Sequence, residues 1–429
     1  LNLNFKANTS ATPLNVPTGV YMAGYADREN GSKGIHDNIY TKALTVSNGE
    51  KTIIVISNDL LGVDEELVDK VVSGIKKEIN IPEENIFICA THTHSAPHII
   101  NWEFDEKNFS CRLNKKLKEY IIDTMIKNAL KSAKDLRQIR LAYGKSKCVG
   151  VASNRICKEG PVDDSVNVIF LIAENNLPLG VIVNYSCHPT VLGADNEYIS
   201  ADYPGVVQNL VEEYFKNNCV CMFINGACGN QSTRFTRKAQ DFNEVKRMGG
   251  LVFKSVLEAY DNKEDKNNYE INGIKRYFKF PKKEIPDRKE AMEYYRRTLY
   301  DLNKAKNDSN ISPQNMRSII TKYQGASISL KLIDVLENIN LELPIQIIKL
   351  GDILIVGVPV ELFNDYGFDI KRESDFNNVI IAGYTNGMVG YVYTPESYED
   401  GDYEAWSSPF GKFTGDFITQ NVMSLIKIL

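Results

Sequence analysis

Short apolar runs alternate with longer amphipathic stretches along most of the chain, and the two periods predict different elements. Strands are expected at Tyr40–Val46, Thr52–Asn58, Ile86–Ala90, Ile139–Val151, Val166–Ala173, Leu179–Ser186 and Val220–Ile224. Ile345–Leu350 and Ile353–Val358 read as a hairpin around Gly351-Asp352, with a further strand at Val379–Tyr384. Leu67, Val68, Val71, Val72 and Ile75 recur at helical spacing within Asp64–Ile79, and Leu113–Lys134 is a longer amphipathic helix. Asp202-Tyr203-Pro204 has the form of an N-cap and first turn for a helix reaching Lys216. Further helices are expected around Phe242–Val256, at Asp287–Lys304, from Gln314, from Pro359 and over Thr414–Ile428. Residues 1–60 open as irregular, turn-rich chain before the first two strands. Residues 263–325, rich in Lys, Glu, Asn and Tyr, read as a helical lobe added to the main body. Strands alternating with helices predict an α/β fold: a central mixed β-sheet, or two packed sheets, covered by helices.

Composition narrows the class. The 429 residues are 43% hydrophobic and 24% charged with a net charge of −5, which leaves no electrostatic footprint for nucleic acid. No apolar run reaches the ~18 residues of a membrane span. The start, LNLNFKANTSATPLNV, lacks the basic-then-apolar pattern of a signal peptide. Eight cysteines show no C-x-x-C spacing, and several sit inside apolar runs as reduced buried thiols do. A cytoplasmic protein acting on a small molecule is expected.

The chemistry starts at Ile86–His98, IFICATHTHSAPH, which holds His92, His94 and His98 of the chain's five histidines. If Thr91–His94 stays extended, His92 and His94 share one face at a strand end. Four apolar strands run straight into polar, Gly- or Pro-punctuated chain. They deliver His92 and His94, His188, the loop Asn225–Gln231, and Glu361. Strand ends that share one mouth form the usual ligand site of such sheets, and imidazoles plus a carboxylate are the inventory of a catalytic zinc site. Each residue has a plainer role. His188 can face solvent ahead of Pro189, Glu361 suits the start of a helix opened by Pro359, and Asp202 suits a cap. Cys228 invites a nucleophile reading with His188 as base. The Gly226–Gly229 turn can offer amides to an oxyanion.

Taken in order, MAGYADRENGSKGIHD, ATHTHSAPH, ASNR, NYSCHPT, ISADYPG, GVPVELF and GYVYTPESYEDGDYEAW resemble the catalytic domain of the neutral/alkaline ceramidase family. These are zinc-dependent amidases that cleave the N-acyl bond of sphingolipids. The resemblance implies one catalytic domain over residues 1–429, without the family's C-terminal immunoglobulin-like domain. It places the zinc ligands on His92, His188, Glu361 and Tyr391, with His94 beside the metal as a proton-handling group. Arg155 and Tyr403 fall where the family holds the substrate's polar head. Tyr391, one of 22 tyrosines, is singled out by the resemblance alone. His36, Asp37 and Asp59 are candidates for bracing the ligands. One departure bears on mechanism: the family carries Ser in a turn written G-D-V-S-P-N, and Gly229 stands at that place here. A metal-bound water is then the natural nucleophile. The expectation is a Zn²⁺-dependent hydrolase cleaving a linear amide, with an N-acyl substrate that need not be a sphingolipid. A Cys228–His188 thiol hydrolase and a non-catalytic metal-containing binding protein are the alternatives.

Overall fold

The computed structural model describes residues 4–25, 28–101, 113–284 and 287–429. Cys111 and part of the MAGYADRENGSKGIHD segment fall outside them. The first sheet contains β1 (Lys6–Pro13), β2 (Tyr40–Ser47), β3 (Thr52–Asn58), β4 (Ile86–Ala90), β5 (Arg137–Lys147), β6 (Ser165–Ala173), β7 (Pro178–Tyr185), β8 (Val220–Asn225) and β9 (Glu264–Lys266). Its order is β8-β7-β6-β5-β1-β2-β3-β4, with β9 paired on β5. A second sheet has the order β10 (Ile271–Lys279), β11 (Glu342–Leu350), β12 (Ile353–Gly357) and β13 (Asn378–Ala382). The helices that frame the site and core are α1 (Glu65–Glu78), α2 (Lys115–Ser132), α3 (Asp202–Tyr214), α4 (Phe242–Asp261), α5 (Arg288–Lys306), α6 (Pro313–Val335), α7 (Asn364–Glu373), α8 (Tyr403–Ser407) and α9 (Thr414–Ile426), with a further short helix at Pro395–Glu399. The fold is mixed α/β, as expected.

The two sheets pack face to face with helices on both outer surfaces, so their central strands are buried on two sides. That is why they read as continuous apolar runs. Side-chain alternation sorts each run between two cores. Ile53 and Val55 of β3 join Ile353 and Ile355 of β12 in the core between the sheets. Ile54 and Ile56 face α1 and α2, Val181 and Val183 face α3 and α4, and Leu354 and Val356 face α7 and α9. Among the described residues no helix is long and apolar enough to cross a membrane. The seven described cysteines are free thiols.

Three parallel crossovers bring the chemically interesting residues together: β3-α1-β4, β7-α3-β8 and β12-α7-β13. Their carboxyl ends are stitched together by backbone and Asn side chains. Asn225 Nδ2 donates to Thr91 O and Cys187 O at 3.1 and 3.2 Å. Asn184 Nδ2 donates to Ile224 O and Ile381 O at 3.0 and 2.9 Å. Gly383 N donates to Asn225 O at 3.0 Å, and Ala90 N to Tyr384 O at 3.3 Å.

Four local expectations are corrected. The start is not irregular, because Lys6–Pro13 is a strand inside the first sheet. Its KANTSATP sequence carries no apolar alternation, and its Asn and Thr side chains bond distant segments instead: Asn8 Nδ2 donates to Lys134 O, Thr9 Oγ1 to Leu179 O and Thr12 Oγ1 to Asn128 Oδ1. The lobe at 263–325 is helical only from Arg288, since Glu264–Lys266 and Ile271–Lys279 pair in the sheets. No helix opens at Pro359. Glu361 N donates to Gly390 O and Phe363 N to Val392 O, which draws Glu361–Leu362 into a short parallel pair with Tyr391–Val392 and delays α7 to Asn364. Asp202 is not the cap of α3 either. Ala201 holds that position, while Asp202 sits at φ +54° and accepts from Tyr203 N and Leu192 N.

Candidate metal centre

His92 and His94 leave the end of β4, His188 leaves the end of β7, and Glu361 follows β12. All four are buried, His188 completely. His92 stands at φ +70°, a region that costs an L-residue about 1–3 kcal/mol. Its N–H donates to Leu60 O at 2.9 Å and its Nδ1 to Leu61 O at 2.7 Å, so the turn after β3 fixes both backbone and ring. The ring also stacks on Tyr384, centroids 3.8 Å apart.

Each imidazole commits Nδ1 to a backbone carbonyl. His94 Nδ1 donates to Gly24 O at 3.0 Å, and His188 Nδ1 to Cys228 O at 2.8 Å. Gly24 is required for this approach, because a Cβ there would collide with the His94 ring. A carbonyl only accepts, so Nδ1 carries a proton in all three rings, and in a neutral ring Nε2 is then a bare lone pair. Those lone pairs converge. His94 Nε2 lies 3.2 Å from His92 Nε2, and Glu361 Oε2 lies 3.0 Å from His188 Nε2 and 3.3 Å from His92 Nε2. Acceptor facing acceptor is repulsive unless a cation lies among them. A tetrahedral ion with bonds of about 2.0–2.1 Å holds its ligand atoms about 3.3 Å apart, which is the spacing found. His92, His94 and His188 thus form a cluster able to coordinate a metal ion, with their ligand atoms all within 4.8 Å of one another.

The protonation states suit a cation as well. Burial, reinforced by His92 and His188, holds His94 well below its usual range. Burial and then the Arg155 charge push His188 down to about 3. Burial alone would raise Glu361, but His92 and His188 overrule it and keep the carboxyl well below the usual carboxylate range. His94 and His188 neutral beside an ionised carboxylate need release no proton before a metal binds.

Residues 16–226 match the family described as neutral/alkaline non-lysosomal ceramidase, N-terminal. Over this stretch the chain belongs to the neutral/alkaline ceramidase family. It is 22% identical to the neutral ceramidase of Pseudomonas aeruginosa across 92% of this chain and 67% of that relative, so it spans about two thirds of the relative's length. A shorter likeness, 30% identical, links 20% of the chain to 14% of the neutral ceramidase of Mycobacterium tuberculosis. The crystal structure of the Pseudomonas aeruginosa neutral ceramidase superposes with a TM-score of 0.79 at 19% identity, covering 100% of this chain and 75% of that one. A structure described as ceramidase complexed with C2 gives the same TM-score at 18% identity, covering 100% of this chain and 76% of that one. The fold is therefore shared along the whole chain.

Other residues singled out by the ceramidase resemblance gather at a cavity of about 740 Å³, lined by His94, Arg155, Tyr391 and Tyr403. Tyr391 pairs in register with Glu361, its ring centroid 6.4 Å from that of His188 and 5.9 Å from that of Tyr403. Burial holds the Tyr391 hydroxyl well above its ordinary value and pushes Tyr403 up to about 12. Arg155 Nε lies 2.8 Å from Glu404 Oε1 without hydrogen-bond alignment, and its Nη2 has no partner among the described residues. Burial opposes that charge, but Glu404, Tyr391 and Glu361 hold it in place.

Two amides of the glycine turn expected to serve an oxyanion are already committed to backbone carbonyls. Gly226 N already donates to Tyr185 O and Gly229 N to Leu362 O. Gly229 also packs against the ligand segment, since a Cβ there would lie 2.5 Å from Glu361 O. The absence of Ser at this place therefore has a steric reason: any side chain would push on Glu361. Cys228 gives His188 its carbonyl, while its thiol faces Tyr384 Oη at 3.0 Å and is pushed up to about 12 by burial. His36 is half-exposed, pairing with Asp37 and stacking on Phe242 at 3.5 Å, and it does not reach the cluster. Asp37 accepts from Ala201 N. Asp59 accepts from Tyr40 N and Gln208 Nε2, bracing the chain just before the Leu60–Leu61 carbonyls. His98 is not among the three clustered rings. Sequence patterns do not point to Glu404, Tyr384 or the carbonyls of Gly24 and Leu61. Of these only Glu404, an acid inside the aromatic GDYEAW segment, leaves a mark in the sequence.

Proposed function

We propose that the chain is a zinc-dependent amidohydrolase that cleaves a linear N-acyl bond with water as nucleophile. The convergence of His92, His94 and His188 Nε2 lone pairs with Glu361 Oε2 at 3.0–3.3 Å carries this reading. His92, His188 and Glu361, sealed beneath the cavity, would hold the ion, and Tyr391 would complete the set. When bound, zinc supplies Lewis acidity that lowers the pKa of water towards ~7 and polarises a carbonyl. The protein does the rest.

His94 lines the cavity while His92 and His188 do not, which supports its role in moving protons. With Nδ1 fixed on Gly24 O, its neutral Nε2 accepts a proton from the attacking water and returns it to the departing amine nitrogen as the C–N bond breaks. Such a group is worth roughly 10²–10⁴-fold. Arg155 and Tyr403 line the same space and would hold the polar groups around the scissile amide. The fixed tautomers and the buried Glu361 keep the donors aimed without reorganisation.

The test combines metal analysis with turnover. Protein purified without chelator is expected to hold close to one zinc per chain. It should hydrolyse members of a panel of N-acyl amines, N-acyl amino acids and esters, losing activity to chelator and regaining it with zinc. Protein that carries no transition metal and takes none up overturns the metal centre. Zinc-loaded protein silent across the panel overturns the hydrolase and leaves a metal-containing binding protein.

A further inference from the structure

The lining of the cavity around Arg155 is strongly basic. The chain following β8 contributes Arg234, Arg237 and Lys238, and α6 adds Arg317. The acids lining the same space are Asp195 and Glu404, and Glu404 lies against Arg155. Arg234 Nη1 donates to Arg155 O at 3.2 Å, and Arg237 Nη1 to Thr190 O at 2.6 Å. Both are partly buried, and among the described residues neither forms an ion pair with a carboxylate. Removing guanidinium charge from water is costly unless an opposite charge meets it. Here neutral carbonyls point the guanidiniums without neutralising them. Burial and neighbouring cations lower Arg234 to about 10, which leaves it charged at neutral pH. Met316, Ile320 and Ile328 recur along one face of α6 and add an apolar strip to the same lining. Cationic groups and an apolar helix strip lining one space describe a ligand with a chain and a negative charge.

We infer that the substrate is an amphipathic anion: an N-acyl chain seated along Met316, Ile320 and Ile328, with a carboxylate, sulfonate or phosphate held by Arg234, Arg237 and Lys238. This rests on the amidohydrolase reading of the same cavity and narrows it to amides carrying a second, anionic group.

Calorimetric binding to the intact zinc-loaded protein tests it, using N-lauroyl taurine and N-lauroyl glycine against the neutral N-lauroyl ethanolamine. The methylamide of dodecanedioic acid places the charge on the acyl end instead and shows which side of the amide the basic wall reads. At least one anionic amide is expected to bind about tenfold or more tighter than the neutral one, charge-assisted hydrogen bonds being worth that much. The advantage should shrink as salt rises from roughly 50 to 300 mM. Arg237→Gln and Lys238→Gln should each reduce it, with Arg237→Lys retaining part. Equal or tighter binding of the neutral amide, no measurable binding of any anion, or an affinity unmoved by salt would overturn the inference. The salt series needs no variant, so a misfolded Arg237→Gln leaves the test intact. Hydrolysis is scored separately. Tight binding of an anion with no cleavage of any amide removes the hydrolase reading while the charge preference stands. Efficient cleavage of the neutral amide with the anions refused removes the charge preference alone.

Discussion

The metal centre and the basic wall of the cavity face each other but are built by different means. Around the centre, three strand ends are locked by Asn225 and Asn184. Each imidazole is fixed at Nδ1 by a carbonyl, and His92 and His188 are at most 1% exposed. In the wall, α6 packs on α8 through Gly325, whose added Cβ would lie 3.1 Å from Tyr403 Cα. Arg155 Nη2 has no partner among the described residues, and Arg234 and Arg237 rest on carbonyls. A site that must hold a cation in one geometry gains from rigid sheet ends. A surface that must receive a solute gains from donors left unpaired until it arrives.

Removing a donor from the rigid side should do the most damage. His188→Ala or His92→Ala is expected to bring metal content to background and to abolish turnover, well beyond the ~100-fold of an outer partner. Elemental analysis alongside folded-state circular dichroism checks it. His94→Ala separates the two sides more sharply. A cavity-facing proton carrier should leave zinc near one equivalent while kcat falls about 10²–10⁴-fold. Loss of the ion together with activity would instead make His94 a ligand and place it wholly with the centre. Asn225→Ala is a smaller step. Thr91 O and Cys187 O lose a shared donor in a dry site, for an expected loss of about 2–3 kcal/mol by denaturant unfolding. Metal affinity should weaken about tenfold. Unchanged affinity would mean that the strand ends are not held jointly.

The same contrast explains what could be read from the chain alone. His92, His94, His188 and Glu361 announce themselves because each follows an apolar run buried on both faces, where polar residues are conspicuous. β1 left no such signal, since its Thr and Asn side chains form hydrogen bonds to distant segments. The helix expected at Pro359 failed because tertiary pairing with 390–392 outcompeted a local preference. The wall was invisible for another reason: Arg234, Arg237 and Lys238 are an ordinary polar stretch until α6, some 75 residues later, closes over them. Tyr391 was found only by resemblance, because its significance lies in a two-residue pairing with Glu361.

The short helix that carries Tyr403 and Glu404 has a titrating anchor of a kind the strand ends lack. Lys283 Nζ donates to Ala405 O at 2.8 Å and Trp406 O at 3.1 Å, holding the short α8 that carries Tyr403 and Glu404. It lies over the Trp406 and Tyr398 rings with no carboxylate partner among the described residues, and burial pushes its pKa down to about 7. A folded value below the 10.5 of the free amine means that between about pH 7 and 10.5 the unfolded chain binds more protons than the folded one. Stability therefore rises with pH across that window. Lys283→Met removes the titration, so the melting temperature of the wild type relative to the variant should climb by about 2–5 °C from pH 7 to pH 9.5. A difference that stays flat would show the amine charged in the folded chain and α8 clamped as firmly as the metal centre, and the division between a fixed floor and an adaptable wall would not hold at this point.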